Sequence, residues 1–259
     1  MPTTPRFVRV ALAAATLLVI ARVGPAQEAR QIIEESQRRS HAASERYEGL
    51  LQVVDAKGRI SDKRWQFDRI GSHGASKAVL RFTAPAEVKG VALLIVNHQD
   101  RASDQWMWTP AIARDRRIAL QDRSTRFFGT DFSFEDLEER DVNQYDYSMA
   151  GEEAIDGAPC WRIDARPKET KASQYTRSRI WVRKDNYAFA RIENSVKDQL
   201  ARRLFYKEIQ YVQGIWTARL LEMHDLRRNS RTILKLERLE YNVPMQDEDF
   251  TLQALRRGQ

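Results

Sequence analysis

The sequence predicts a mainly β, α+β fold: one curved antiparallel sheet, an incomplete barrel, whose concave face is covered by helical segments. Three observations predict it. Apolar and polar residues alternate in segment after segment; at 178–183, Ile180 and Val182 oppose Arg179, Trp181 and Arg183. Such one-sidedness is the mark of strands that bury one face of an antiparallel sheet. Tight-turn residues punctuate these segments, as at Asp156-Gly157-Ala158-Pro159, Lys184-Asp185-Asn186, Gln213-Gly214 and Arg228-Asn229-Ser230. The strand candidates number roughly ten or more, and a sheet of that width curls or closes, leaving a concave face to be filled.

The elements follow in order. Residues 29–45 read as an opening helix with a narrow apolar stripe that includes Ile32 and Ile33. From residue 47 the pattern turns to strands. Residues 47–54 lead through Asp55-Ala56-Lys57-Gly58 into 59–70, a hairpin with glycine at the turn. Strands at 77–83, 91–97, 105–109 and 116–120 follow. Residues 133–139 form a helical turn or two, with Ser133 and Asp136 spaced as a capping pair. Strands resume at 145–150, 160–166, 178–183, 188–196, 203–210, 217–225 and 232–242. No fixed-period repeat and no low-complexity linker appears, so 27–259 reads as a single domain.

Residues 1–26 read as a secretory signal peptide. Arg6 and Arg9 precede the apolar run 10–20, and Gly24-Pro25-Ala26 offers a small-residue cleavage site. No cysteine stands at the cleavage point to accept a lipid, so the expected product is a periplasmic protein. The full chain carries a formal net charge of +7; removing the three arginines of 1–26 leaves +4. That mild basicity gives no reason to expect nucleic acid and leaves room for anionic lipid or an acidic partner. Cys160 is the sole cysteine and reads as a small core residue. His41, His73, His98 and His224 are scattered, without the spacing of a metal site, and no nucleophile elbow or phosphate loop is present. Neither catalysis, a metal nor a cofactor is expected.

The densest signal runs from residue 104 to 137. Trp106 and Trp108 alternate on one strand face, and Phe127, Phe128, Phe132 and Phe134 surround a Gly129-Thr130-Asp131 turn. Aromatics at this density serve either as packing or as the wall of an apolar cavity.

This stretch resembles the LolA/LolB-like superfamily, and more narrowly the outer-membrane lipoprotein-sorting proteins. The likeness rests on Pro85, Val88-Lys89-Gly90-Val91-Ala92-Leu93-Leu94, Asp104-Gln105-Trp106-Met107-Trp108-Thr109-Pro110-Ala111, Arg116-Arg117-Ile118 and Phe128-Gly129-Thr130-Asp131-Phe132-Ser133-Phe134-Glu135-Asp136-Leu137. Trp108 stands where the family carries tyrosine; Thr130 and Phe134 replace serine and tyrosine. The resemblance spans most of the chain after residue 26, including Asp249-Phe250-Thr251. It implies a LolA/LolB-like half-barrel over an apolar cavity, a carrier or binder of lipid or lipoprotein acyl chains, and association with exporters of the RND/MMPL type.

On this reading the lining is Leu93, Ile95, Trp106, Trp108, Phe127, Phe128 and Phe132, with the inward face of each strand left open. Gly129, Thr130 and Asp131 would form a lid turn. Arg114, Arg116 and Arg117 form either a clamp for an anionic head group or a solvated strand edge. Asp131 and Asp136 would cap the short helix or pair with these arginines. Trp106→Asp or Phe128→Asp would then abolish lipid binding without unfolding. The alternative is a monomeric adaptor that docks on an exporter through its outer face and carries no cargo.

Overall fold

The computed structural model describes residues 24–139, 141–169 and 173–257. The expected signal peptide lies almost wholly outside them. Helix α1 spans Pro25–Arg39. Proline suits its first turn, where an N–H would have no partner. The helix stops where Ser40 turns its backbone N–H and its hydroxyl onto the Ser36 carbonyl, at 3.1 and 2.8 Å. The sequence reading carried this helix to residue 45. Ser44 and Glu45 instead begin the first strand, and no glycine or proline marks the change.

The first six strands are β1 (Ser44–Val54), β2 (Ile60–Ser72), β3 (Ala75–Ala84), β4 (Ala92–Val96), β5 (Asp104–Thr109) and β6 (Arg114–Arg117). Residues 118–139 and 141–144 cross the inner face of the sheet as short turns. The chain then returns as β7 (Tyr145–Ile155), β8 (Ala158–Pro167), β9 (Arg177–Arg183), β10 (Phe189–Val196), β11 (Gln199–Val212), β12 (Ile215–Asp225) and β13 (Ser230–Tyr241). Helix α2, Leu252–Arg257, ends the described chain.

Among the described residues these strands form one unclosed antiparallel sheet of thirteen strands, ordered β6-β5-β4-β3-β2-β1-β13-β12-β11-β10-β9-β8-β7. Each strand expected from the alternation is present. The bounds drift most at β7, which runs on to Ile155, at β11, which spans Gln199–Val212, and at 116–120, where β6 stops at Arg117 because Ile118 turns into the core at 2 % exposure. The two edges, β6 and β7, are consecutive in the chain, while β1 meets β13 at the centre.

The halves are finished differently. On the inner face of β1–β5, Leu51, Trp65, Leu80, Phe82, Leu93 and Ile95 pack against Ile118, Phe127, Phe132 and Phe134 from the crossing segment. Gly49 makes room for Trp65; a Cβ there would collide with the indole ring. On the outer face, Phe250 and Leu255 cover Ala92, Leu94 and Trp108. In the other half, α1 lays Ala29, Ile32 and Ile33 on Val142, Tyr145, Ile163, Ala165, Ile180 and Val182. Cys160 is buried beside Trp181 and Ala190.

Candidate functional site

The residues expected to line one cavity are divided between the two faces of the sheet. Leu93 pairs with Met107 and Leu94 with Trp106, so Leu93 and Ile95 face inward while Trp106 and Trp108 face outward. Trp108 is buried under α2, and Trp106 lies half-buried with the Arg117 guanidinium 5.9 Å from its ring centre. The two tryptophans therefore do not share a cavity with Leu93 and Ile95. Phe127 sits among Phe82, Phe128 and Phe134, with ring centres 5.4, 5.1 and 5.4 Å away. With Phe132 it fills the inner face instead of lining a hollow.

The expected lid turn is bolted down. Asp131 is fully buried and accepts hydrogen bonds from Thr232 Oγ1 at 2.8 Å, Ser230 Oγ at 2.5 Å and Arg126 Nη2 at 3.0 Å. Its own N–H donates to Thr232 Oγ1 at 2.8 Å. Thr130 Oγ1 donates to the Phe127 carbonyl at 2.6 Å. Gly129, at φ 76°, supplies the left-handed turn. Five such bonds to the sheet and the turn make this segment a plug, since a lid needs a cheaply broken closed state.

The arginine cluster marks the free edge β6, away from any described hollow. Arg117 pairs with Asp104, and Arg116 lies 3.9 Å from Asp122. Arg114 is exposed. Charges of this kind discourage edge-to-edge pairing of sheets.

An open depression of about 690 Å³ lies in this half, lined by residues that include Gln66, Arg81, Lys89 and Pro110, while a hollow with a mostly apolar lining lies in the other half, beneath α1. Its volume is about 290 Å³, at the lower end of ordinary ligand sites. Strand register builds its floor. Ile163, Ile180, Ile192, Leu204 and Met223 are successive direct cross-strand partners from β8 to β12, forming one apolar row on the inner face. The last four of them reach the hollow, joined by Phe189 and Tyr206, while Ile33 and Ser36 of α1 form the roof. The adjacent register row starts at Ala165 and is polar from there on: Ser178, Asn194, Arg202 and Asp225. Ser178 Oγ donates to Asn194 Oδ1 at 2.7 Å.

The polar end closes on itself. Arg202 Nη1 donates to Asp136 Oδ2 at 2.5 Å and to the Tyr175 hydroxyl at 2.8 Å; that hydroxyl donates to Asp136 Oδ1 at 2.7 Å. Asp136 and Ser133 also exchange the hydrogen bonds expected of a capping pair, at 2.7 and 3.3 Å. Burial, with Asp136 alongside, pushes the Tyr175 phenol well above its ordinary pKa, and burial also raises Tyr206. Both hydroxyls stay neutral at any physiological pH. A charged pair already neutralised inside the wall leaves a hollow suited to an apolar guest.

Ser40, His73 and Glu139 stand in a line at one side of this hollow. Their geometry is that of a helix-end clamp. Ser40 Oγ lies 3.2 Å from His73 Nε2 but donates to the Ser36 carbonyl at 2.8 Å. His73 Nδ1 and Glu139 Oε1 are 3.9 Å apart, beyond hydrogen-bond reach. The nearby N–H groups of Ser40 and Ala42 are engaged by Ser36 O and Ser72 Oγ, so neither is free to hold an oxyanion. Among the described residues no group of three or more His, Cys, Asp or Glu is placed to hold a metal ion. No described helix is long and apolar enough to cross a membrane.

The alternation of 203–206 and 188–192 carried the signal for these cavity residues, yet nothing local distinguishes a strand under a hollow from one under a plug. Which filler covers which half depends on contacts more than a hundred residues apart, such as Asp131 on Thr232.

An unclosed antiparallel sheet, curved over a helix-roofed hollow, defines an incomplete barrel of the LolA type. A family model described as that of an uncharacterized protein matches residues 74–257, and the chain belongs to that family. A domain described as an outer membrane lipoprotein-sorting protein from Vibrio parahaemolyticus is similar with a TM-score of 0.85 and 24 % identity, over 90 % of this chain and 100 % of that one. A DUF1329 family protein from Desulfovibrio piger gives 0.84 and 27 %, over 89 % and 99 %. A LolA superfamily protein from Nitrosomonas europaea gives 0.70 and 18 %, over 87 % and 98 %. No curated protein matches the chain.

Proposed function

We propose that the protein is a non-enzymatic periplasmic carrier that shelters acyl chains of a lipid or lipoprotein in the hollow beneath α1. The observation that carries this reading is the apolar row Ile180, Ile192, Leu204 and Met223 on the wall of the hollow, whereas Phe127, Phe132 and Phe134 pack the inner face of the other half. Each CH₂ moved there from water contributes about 0.8 kcal/mol, so a single chain already gives useful affinity. Release requires α1 to lift, breaking Ser36 Oγ to Tyr187 O at 2.8 Å, the Arg39 guanidinium over the Tyr187 ring and the packing of Ala29, Ile32 and Ile33. The basic edge Arg114–Arg117 has no part in this grip. Residues 1–26 act in this reading as the export signal, leaving Gln27 in the first turn of α1.

The test is native mass spectrometry of protein secreted with its own leader and purified without detergent. A stoichiometric lipid adduct that disappears in Ile192→Trp, which fills the hollow, is the expected result. A clean apo mass that persists after incubation with envelope lipids would overturn it in favour of an exporter adaptor.

A further inference from the structure

The β11–β12 hairpin leaves the sheet before it ends. β12 pairs with β13 only from Leu220↔Lys235 to Asp225↔Ser230, whereas β11 and β12 stay paired out to Val212↔Ile215. Beyond that point β13 pairs with β1, and β10 has stopped pairing with β11 at Arg191↔Phe205. The last part of the hairpin is thus a two-stranded ribbon with no strand paired to either side among the described residues. Gln213 and Gly214, at φ 46° and 91°, make the tight turn that a two-residue hairpin needs. The ribbon is tied near its turn to the end of β13: the Tyr241 N–H donates to Gln213 Oε1 at 2.7 Å, and Thr217 Oγ1 lies 2.8 Å from the Tyr241 hydroxyl.

Ile215 and Thr217 are buried there, and two aromatic rings on the same end are exposed. Tyr211 and Trp216 are direct cross-strand partners, ring centres 5.1 Å apart, at 63 % and 42 % exposure. The end of α1 stands beside them, and Arg38, Arg39 and His41 line a shallow depression with the two rings. No carboxylate lines it. Glu35 accepts from both guanidiniums at 2.7 Å, and they hold its pKa down to about 2, so the pair of arginines keeps one net positive charge. The depression shares Arg39, Ile215 and Trp216 with a hollow of about 190 Å³, which shares Ser36, Ser40, Phe189 and Tyr206 with the main cavity.

We propose that this aromatic tip and the basic end of α1 form a docking face for an anionic lipid bilayer. Tyrosine and tryptophan favour the membrane–water interface, where the ring is apolar and the polar atom stays wet. Arginines beside them are drawn to anionic head groups. A protein partner is less well served: a stable interface needs about 800 Å² from each side, and two rings on a narrow ribbon fall well short. Docking itself stands on the tip alone. Its use, seating the hollows against the lipid surface so that cargo crosses without meeting water, rests on the carrier reading.

The experiment is flotation of the secreted, full mature protein with vesicles of phosphatidylglycerol and phosphatidylethanolamine in equal parts, and with vesicles of phosphatidylcholine alone. The wild type should float with the anionic vesicles and lose most of that binding at high salt. Tyr211→Ser/Trp216→Ser should reduce it about tenfold, since binding scales with buried apolar area. Arg38→Gln/Arg39→Gln should reduce it on anionic vesicles only. Unchanged thermal melting confirms that both double variants fold. A wild type that stays in solution, or an aromatic double variant that floats equally well, would overturn the docking face. So would a wild-type dimer that the aromatic substitutions dissolve while vesicle binding is absent. Native mass spectrometry separates the two readings: a variant that keeps its lipid but no longer floats supports docking. A wild type that floats but never carries lipid sinks the carrier reading and leaves docking standing.

Discussion

The two halves of the sheet present inner faces of the same kind and are finished in opposite ways. In the β1–β5 half, Phe127, Phe132 and Phe134 press into the concavity and leave it solid. In the β7–β12 half, a straight helix lies across the rim and leaves space beneath. A loop can follow a curved surface and fill it with rings, whereas a helix of about 10 Å diameter can touch a concave wall only along its own stripe. The run of phenylalanines close together in sequence therefore marks the plug here, and the hollow is walled by residues gathered singly from separate strands, such as Ile192, Leu204 and Tyr206.

That contrast can be broken by substitution. Phe127→Ala removes a ring packed on four others and should cost about 3–5 kcal/mol in urea unfolding, with cargo still bound to the folded fraction. Asp131→Ala strips three side-chain donors of their buried acceptor and should cost about 2–3 kcal/mol by the same measurement. Ile192→Trp should act in the reverse sense, losing bound lipid in native mass spectrometry while stability moves by no more than about 1 kcal/mol, because the ring enters space instead of packed atoms. Trp106→Asp sharpens the division: the indole faces outward, so lipid content should stay at the wild-type level, and its loss would return the site to the other half.

The smallest effect is a pH dependence at His73. Burial lowers its pKa, outweighing the attraction of Glu139, while Arg69 and His41 disfavour its charge further. The unfolded chain thus binds the proton first, at about pH 6.5, and stability falls as pH drops below that value and levels off below the folded pKa. Urea midpoints of wild type and His73→Gln at pH 7 and pH 5 should show the smaller drop in the variant.

Much of the sheet was legible because each strand states its own alternation: Ile180 and Val182 against Arg179 and Trp181 need no partner to be read. Turn chemistry was equally local, as at Gln213-Gly214. The end of α1 was not legible, since Ser40 stops it by bonding to Ser36 with no glycine or proline to announce it. The cavity was legible only as an expectation. Whether Leu93 and Trp106 share a face is a matter of register, and the pairing of Leu94 with Trp106 answers it against the local pattern. Tyr206 and Ile192 carry no motif; they become a site because α1, from the other end of the chain, spans above them.

The central seam has a further consequence, for assembly. β1 pairs with β13 along Gln52↔Ile233, a sequence separation of about 180 residues, and the two free edges are the strands made midway through the chain. Loops of that length are entropically costly to close before their contacts form, which places such topologies among slow folders. A chain delivered N-terminus first can pair β1 with β2 at once but leaves its other edge without its final neighbour until the last strand emerges. The helix that roofs the hollow is then made first and seated late, after the strands it lies across exist.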